Sequence, residues 1–211
     1  MSTIYKLKPQ FQNLLRPLVK QLYRIGVTAN QVTLFAMFVS IFLAFYLYMH
    51  SLEQTSSWIL LLLPIWMLIR MALNAIDGML AKEFAQQSQL GAFYNELSDV
   101  ISDTALYLCF IGFSFIQSEL LLIIVFLAIL SEYTGVMAPL IGKERRYDGP
   151  MGKSDRAFCF GLLTTIIFVF PIMSDHSEYL IYLCNGLLFM MGLLLVVTIY
   201  NRIKNSITTA I

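Results

Sequence analysis

Apolar residues follow one another along most of the chain in runs that are each long enough to cross a bilayer as a helix, which takes about 20 residues. Short polar segments separate six such runs. The predicted spans lie near residues 30–50, 57–82, 91–115, 119–142, 156–174 and 178–200. The pattern therefore predicts an all-α integral membrane protein with six transmembrane helices.

The first 26 residues have a different pattern, in which apolar and basic side chains recur on separate faces of a helix. The apolar row is Ile4, Leu7, Phe11, Leu14, Leu18 and Leu22, and the basic row is Arg16, Lys20 and Arg24. Two compatible interpretations stay open. The helix lies on the cytosolic membrane surface with its basic row near anionic headgroups, or it packs against the cytosolic face of the protein itself. Gly26 ends this predicted helix, and Thr28 and Asn30 can cap the first span.

The composition agrees with this architecture and excludes other classes. Hydrophobic residues make up 58% of the 211 residues and charged residues 13%, and the net charge is +1. One domain over 1–211 is expected, with an amphipathic helix at 1–26 and a six-helix bundle at 27–211. No basic and aromatic patch indicates a nucleic-acid partner. The two histidines, His50 and His176, fall in predicted outer loops, which argues against histidine-dependent triads and histidine-ligated zinc.

Basic residues mark one side of the predicted membrane. The loops near 51–56, 116–118 and 175–177 contain no lysine or arginine, whereas the opposite connections and both terminal segments contain nearly all of them. The positive-inside rule therefore places both termini in the cytosol. We expect a bacterial inner membrane, because the chain is short and shows no targeting extension.

Polar side chains interrupt the second and third predicted spans at helical spacing. Arg70, Asn74 and Asp77 share one face of the second span, and Asn95 and Asp99 lie one turn apart on the third. Because these spans run in opposite directions from a short cytosolic loop, their polar faces can meet roughly 6–12 Å below the cytosolic boundary. Polar groups are costly in lipid, so this cluster is a candidate functional site that opens to the cytosol.

Carboxylates that converge in such a cleft repel one another unless a cation neutralises them. No lysine points obviously into the cluster, and oxygen ligands suit a hard divalent ion such as Mg²⁺. Such ions are usually bound together with substrate phosphates, which favours phosphate or diphosphate chemistry. Gly78, Ala81 and Gly91 are small enough for either a ligand or a neighbouring helix to approach the backbone, and both interpretations stay open.

Three further charged residues lie deeper in the predicted spans. Arg70, Asp103 and Glu132 are each roughly 15–18 Å from the cytosolic end of their span. We hypothesise that Arg70 neutralises Asp103 or Glu132, and the alternative is a structural polar network without direct chemistry. Intramembrane acids also suit an ion or proton transporter, although the chain shows no inverted repeat and no pair of broken helices.

The segment from 74 to 99 resembles the signature of the CDP-alcohol phosphatidyltransferase family, Asp-x-x-Asp-Gly-x-x-Ala-Arg, eight residues, Gly-x-x-x-Asp-x-x-x-Asp. The matching residues, with all intervals intact, are Asp77, Gly78, Ala81, Gly91 and Asp99. The resemblance extends to the six spans, the amphipathic N-terminal helix and the basic connection between the fourth and fifth spans. It also implies a homodimer.

The resemblance implies a role for each matching position. Asp77 would bind Mg²⁺ or Mn²⁺ that bridges the diphosphate of a CDP-diacylglycerol-like lipid donor. Asp99 would take the proton from the attacking alcohol, whose oxygen displaces CMP. The residues implied to line the CDP moiety are Gly78, Ala81, Lys82 and Gly91.

The chain departs from the signature at three positions, because Asn74 and Asn95 replace aspartates and Lys82 replaces arginine. The asparagines remove two negative charges but keep oxygen donors, so a single metal is favoured over two. The implied metal ligands are Asp77, Asp99, Asn74, Asn95 and Glu96. An alternative is a catalytically impaired relative that binds a nucleotide-lipid or a partner.

The basic connection between the fourth and fifth spans provides candidate residues for the acceptor. These residues are Arg145, Arg146, Lys153 and Arg156. They would suit the phosphate of a phosphorylated alcohol, such as glycerol phosphate or inositol phosphate. Their ordinary explanation is topology, because cytosolic loops collect positive charge. The acceptor is therefore either a small alcohol or a phospho-alcohol.

Overall fold

The computed structural model describes residues 3–53, 57–173 and 178–208, with side chains from Pro9 onward. Within these ranges the chain contains helices and no strand. The α-helices are α1 (Thr3–Arg24), α2 (Ala29–Ser51), α3 (Leu62–Glu83), α4 (Gln89–Leu108), α5 (Ser118–Met137), α6 (Lys153–Met173) and α7 (Glu178–Ile207). Short 3₁₀ turns at Trp58–Leu61, Cys109–Gly112 and Ala138–Ile141 adjoin α3, α4 and α5. The all-α prediction is confirmed for the described chain.

Five helical segments in the described ranges are long and apolar enough to cross a membrane. They are Ala29–Ser51, Trp58–Glu83, Ser118–Ile141, Lys153–Met173 and Glu178–Ile207. Their bounds agree with the predicted spans to within a few residues, except that α7 continues to Ile207, beyond the predicted end at 200. The remaining predicted span, 91–115, corresponds to α4. This helix is less apolar than the others because it carries Glu96, Asp99 and Asp103.

The chain divides into two compact units. The first comprises Met1–Phe42 and Trp66–Asp103, and the second comprises Leu43–Ile65 and Thr104–Ile211. The first unit thus contains α1, the beginning of α2, most of α3 and most of α4. All residues of the predicted signature belong to this unit, so the candidate site is described within it.

One face of α1 packs into the core of the first unit. Val19 is fully buried against α2 and α3, and the partly buried Leu15 and Leu22 lie beside it. The packed face of α1 thus includes Leu15 and Val19, which are not members of the predicted apolar row, together with Leu22, which is. Leu14 and Leu18 from the predicted apolar row are instead exposed, at 75% and 46%. The side chains of two other members of that row, Ile4 and Leu7, lie outside the described part.

The helix ends of the first unit follow the sequence closely. The predicted cap at Thr28 is confirmed, because its Oγ1 accepts from the Gln31 backbone N–H at 3.3 Å and the Gln31 Oε1 accepts from the Thr28 N–H at 2.9 Å. At the end of α3, Glu83 accepts a hydrogen bond from Arg16 on α1 at 3.0 Å. This hydrogen bond and the attraction of the Glu83 carboxylate raise the pKa of Arg16.

The second unit is built on α5, α6 and α7. Buried leucine and isoleucine side chains fill its interior, and Tyr107 stacks on Phe160 with 3.9 Å between the ring centroids. The connection before α6 is tied to α7, since the Met151 N–H donates to the Thr198 hydroxyl at 2.9 Å. His50, predicted in an outer loop, lies in the last turn of α2, 3.4 Å from Glu53, because the apolar helix continues to Ser51. His176 lies outside the described residues.

Candidate active site

A cavity of about 330 Å³ opens where α2 begins, α3 ends and α4 begins. Its lining residues are Ala29, Asn30, Thr33, Asp77, Gly78, Ala81, Lys82, Gln86, Gln87, Ser88, Gly91, Ala92 and Asn95. All of them belong to the first unit. The size and the mixture of small apolar and polar groups suit a small-molecule ligand.

The lining includes all four residues predicted to line the CDP moiety and two of the five predicted metal ligands, Asp77 and Asn95. Those in the cavity wall are Asp77, Gly78, Ala81, Lys82, Gly91 and Asn95. Asn74, Glu96 and Asp99 are predicted ligands that do not form part of this wall. Lys82 is exposed, so its ammonium group can reach a ligand at the cavity mouth without the cost of burying a charge. The helical spacing thus brings together one subset of the signature around an open space.

Asp77 is held by a residue from another helix. The Thr33 hydroxyl donates to Asp77 Oδ2 at 2.7 Å, and the two residues are 7% and 5% exposed. A hydrogen bond to a buried carboxylate stabilises its charge and fixes the orientation of its oxygens. The sequence analysis missed Thr33. The available signal was a threonine in the first turn of an otherwise apolar helix, close after the capping residues of α2.

The two signature glycines serve different purposes. A Cβ at Gly91 would lie 2.8 Å from Asn30 Oδ1 and 2.9 Å from Ser88 Oγ, so a larger residue there would require these side chains to shift. A Cβ at Gly78 would meet no described atom within 4 Å. The space beside Gly91 is thus filled by neighbouring side chains, whereas the open space at Gly78 is available to a ligand.

The connection between α3 and α4 contributes polar groups that the sequence analysis also missed. Gln86, Gln87 and Ser88 line the cavity from the eight-residue spacer of the signature. Gln86 Oε1 accepts from the Ala29 N–H at 2.8 Å, and Ser88 Oγ accepts from the Gly91 N–H at 2.9 Å. These bonds satisfy backbone donors at the first turns of α2 and α4. The spacer therefore fixes both helix starts that form the cavity wall.

Arg70 joins the acids that lie beside the cavity. Its Nη1 donates to Asp103, and its Nη2 donates to the Asp99 backbone oxygen at 3.1 Å and to Asp99 Oδ1 at 3.3 Å. The Asn74 amide donates to the same Asp99 Oδ1 at 3.4 Å. The hypothesis that Arg70 neutralises Asp103 is confirmed. The bond from Arg70 to Asp99 was not predicted.

Glu132, the alternative partner predicted for Arg70, has other partners in the second unit. It accepts from Arg145 at 3.3 Å and from Arg156 at 3.0 Å, and Arg202 lies 3.5 Å away. Of the two partners predicted for Arg70, the structure shows Asp103, and Glu132 is paired with arginines of its own unit. The sequence analysis missed Arg202, because this residue lies at the end of α7, far from Glu132 in the sequence. Both intramembrane acids that suggested a transporter, Asp103 and Glu132, are thus held in ion pairs.

The predicted acceptor residues also belong to the second unit. Arg145 and Arg156 pair with Glu132, and Arg146 donates to Asp148 at 2.7 Å. Arg156 is 1% exposed, whereas Lys153 lies at the start of α6. The structure thus places these cations in and beside one network rather than on an open basic surface.

The described residues contain no group of three or more aspartate, glutamate, histidine or cysteine side chains placed to hold a metal ion. The candidate metal ligands near the cavity are instead oxygen atoms of two kinds. These are the carboxylate oxygens of Asp77 and Asp99 and the amide oxygens of Asn74 and Asn95. An all-oxygen set of this kind, with two negative charges, fits one hard divalent ion.

The comparisons with known proteins give one matching family model and two similar proteins. The sequence model of the family described as CDP-alcohol phosphatidyltransferase matches residues 26–200. The inner membrane protein YnbA of Escherichia coli (strain K12) is 46% identical over 169 residues, which cover 80% of this chain and 82% of that protein. A protein of Aquifex aeolicus (strain VF5) is 28% identical over 129 residues, or 61% of this chain and 62% of that protein.

Solved structures share the fold. The chain is similar to crystal structures of Mycobacterium tuberculosis phosphatidylinositol phosphate synthase (PgsA1). The structure in complex with manganese and citrate gives a TM-score of 0.72 at 20% identity and covers 91% of this chain and 88% of that chain. The structure with CDP-DAG bound gives a TM-score of 0.71 at 20% identity and covers 92% and 98%.

Proposed function

Because the chain belongs to the CDP-alcohol phosphatidyltransferase family, we propose that it transfers a phosphatidyl or related phosphoalcohol group from a CDP-linked lipid to an alcohol acceptor in phospholipid biosynthesis. The observation that carries this proposal is the cavity lined by Asp77, Gly78, Ala81 and Gly91, where the signature residues surround an open space. The solved synthase with CDP-DAG bound, which shares the fold, supports a lipid donor of that kind.

The reaction exchanges one phosphorus–oxygen bond for another. The acceptor oxygen bonds to the phosphatidyl phosphorus, the bond from that phosphorus to the CMP oxygen breaks, and the proton of the acceptor hydroxyl passes to the Asp99 carboxylate. Arg70 and Asn74 orient that carboxylate through their bonds to Oδ1. Lys82, exposed in the cavity wall, would balance the diphosphate charge of the donor.

The nucleotide occupies the cavity in this proposal. The absence of a side chain at Gly78 leaves room for the nucleotide, and the small residues Ala81 and Gly91 line the cavity on α3 and α4. Gln87 and Ser88 supply hydrogen-bonding groups of the kind that recognise a pyrimidine base or a ribose. The binding site for CDP is therefore assigned to the junction of α2, α3 and α4.

Asp77 is the proposed principal ligand of one divalent ion, Mg²⁺ or Mn²⁺. The remaining proposed ligands are Asp99, Asn74, Asn95 and Glu96. When bound, such an ion would offset the charge of the donor diphosphate and of the departing CMP. The solved synthase in complex with manganese supports a divalent metal in a protein of this fold.

The acceptor is proposed to be a phosphorylated alcohol. Arg145, Arg146, Lys153 and Arg156 would contribute the positive charge that such a phosphate requires. Glu132 holds two of these arginines in place, since it accepts from Arg145 at 3.3 Å and from Arg156 at 3.0 Å. A small uncharged alcohol is the alternative acceptor.

We further propose that the chain is a multi-pass protein of a bacterial inner membrane, with six spans and both termini in the cytosol. The five apolar helices and the similarity to an Escherichia coli inner membrane protein support this location. The sixth span is α4, whose acids then face the protein rather than lipid. In this arrangement the active site opens to the cytosol. Helix α1 rests on the membrane surface through the exposed Leu14 and Leu18. Residues 1–211 form one domain, and two copies of the chain pair as a homodimer.

One observation favours a second candidate, a catalytically impaired relative that binds a nucleotide-lipid. Asn74 and Asn95 remove two carboxylates, and Arg70 already bonds to Asp99. In that case the cavity would bind the CDP moiety, but no transfer would follow.

The two candidates are separated by the release of CMP. Purified protein is incubated with CDP-diacylglycerol, Mg²⁺ and a panel of alcohols that includes glycerol phosphate and inositol phosphate. We expect CMP release with one acceptor, and we expect Asp99→Asn to abolish it while Glu119→Gln, an exposed position on α5, leaves it unchanged. If no acceptor gives CMP but CDP-diacylglycerol still binds, the second candidate is correct.

A further inference from the structure

Arg70 occupies a position in the acid cluster that a metal ion could otherwise share. Its two terminal nitrogens bond to two different aspartates, Asp103 through Nη1 and Asp99 through Nη2. The side chains of the three residues are 7%, 9% and 20% exposed. A guanidinium held at both ends and largely removed from water is a fixed charge rather than a mobile one.

The Asp99 oxygen that faces Arg70 also receives a hydrogen bond from Asn74. Both donors converge on Oδ1, at 3.3 Å from Arg70 Nη2 and 3.4 Å from Asn74 Nδ2. Arg70 further binds the Asp99 backbone oxygen at 3.1 Å. The negative charge of Asp99 on this side is therefore neutralised by nitrogen donors of the chain itself.

The charge balance of the cluster then favours a single divalent ion. Asp99 and Asp103 carry two negative charges, and Arg70 offsets one of them. A second divalent ion bound through Asp99 would face the guanidinium across the same carboxylate, where like charges repel strongly in a partly buried site.

We propose that Arg70 is a positioning residue that acts as a built-in cation of the active site: it fixes Asp99 and restricts the cluster to one divalent ion. The inference rests on the proposed metal-dependent function and deepens it by assigning the number of metal ions. Asn74 contributes by donating a hydrogen bond to Asp99. An aspartate at position 74 would instead add a negative charge beside Asp99.

Binding of Mn²⁺ to the full-length protein in detergent tests this proposal without any turnover. Electron paramagnetic resonance of free Mn²⁺ gives the number of ions per chain and their affinity. We expect one ion per chain in the wild type. We expect Arg70→Gln to tighten Mn²⁺ binding by about tenfold or to add a second ion, because a repelling charge is lost.

Three further variants make the result specific. Arg70→Lys keeps the charge and should bind one ion, as the wild type does. Arg16→Gln breaks an exposed arginine–carboxylate pair of the same unit and should change nothing. Asp103→Asn leaves Arg70 with one carboxylate fewer, so Mn²⁺ binding should weaken. The Mn²⁺ affinity of Asp103→Asn is thus expected to change in the opposite direction from that of Arg70→Gln. Asp103→Asn takes the place of Arg70→Gln in the test if the latter does not fold.

Two ions per chain in the wild type would overturn the proposal. So would an Arg70→Gln variant, or an Asp103→Asn variant in its place, whose Mn²⁺ affinity and stoichiometry match those of Arg16→Gln. Neither result bears on CMP release. Conversely, one bound ion together with no CMP release from any acceptor would contradict the proposed transfer and leave the role of Arg70 intact.

Discussion

The Thr33 hydroxyl donates a hydrogen bond to Oδ2 of Asp77 at 2.7 Å, and this bond connects the first turns of α2 to α3, which carries the signature residue Asp77. Both residues are less than one-tenth exposed and both line the cavity. Asp77 is therefore oriented by a partner 44 positions away in the sequence. The orientation of this carboxylate depends on α2 as much as on the signature itself.

The Thr33→Val substitution tests that dependence. Valine keeps the shape of threonine but removes the hydroxyl, so the Asp77 carboxylate loses one charge-assisted hydrogen bond, worth about 1.5–3 kcal/mol. We expect CMP release to fall by roughly 10- to 100-fold, with a higher Mg²⁺ requirement. The measurement is the initial rate of CMP release over a Mg²⁺ series. Thr164→Val is the control, because that buried hydroxyl only donates to the Phe160 backbone at 2.8 Å; equal effects of the two variants would contradict the assignment.

The open space at Gly78 gives a second prediction. Since a Cβ there would meet no described atom within 4 Å, Gly78→Leu should fold but project a side chain into the cavity. We expect the affinity for CDP, followed by isothermal titration calorimetry, to fall by at least about tenfold, an effect of about 1.4 kcal/mol. Gly186→Leu is a matched control, because that helical glycine is equally open and belongs to the second unit. Unchanged CDP binding by Gly78→Leu would remove the nucleotide from this cavity.

The carboxylate of Glu132 gives a prediction about stability. Glu132→Gln would leave the buried guanidinium groups of Arg156 and Arg202 without their shared counter-charge. Loss of one partner of a buried ion pair costs roughly 3–5 kcal/mol, so the melting temperature in detergent should fall by several degrees. Glu119→Gln on the same helix α5 is exposed and should melt as the wild type does. A melting temperature of Glu132→Gln within error of that control would show that the network is not stabilising.

Removal of divalent ions gives the fourth prediction. Since the oxygen donors near the cavity carry net negative charge, chelation by EDTA should abolish CMP release, and added Mg²⁺ or Mn²⁺ should restore it. Asp77→Asn should not recover at any Mg²⁺ concentration. Full release in EDTA would contradict a metal-dependent reaction, and an unaltered melting temperature in EDTA would show that the loss is not due to unfolding.

Much of the fold follows from local patterns. The apolar runs predicted α2, α3, α5 and α6 to within a few residues, because a chain in lipid must satisfy its backbone within each helix. The resemblance to the family signature indicated Gly78, Ala81 and Gly91 as lining residues, and these residues line one cavity together with Asp77. The cap at Thr28 was local as well.

The pairings between distant positions could not be obtained in this way. Arg70 had two candidate acids at similar depth, and depth alone did not separate Asp103 from Glu132. Thr33 and Arg202 carried no periodic signal, although one orients Asp77 and the other contacts Glu132. Such contacts depend on how each helix is rotated about its axis, which side-chain packing determines.

The sequence by itself determined that this protein is helical and largely apolar, because these properties follow from composition and helical period, and its signature intervals resemble those of the CDP-alcohol phosphatidyltransferase family. Only the tertiary structure decided that Arg70 bonds to Asp99 as well as Asp103, and that Gly78 borders open space while Gly91 faces the side chains of Asn30 and Ser88. The reason is that the charge balance and the free volume of a site are set by atoms from several helices, and no single segment contains them.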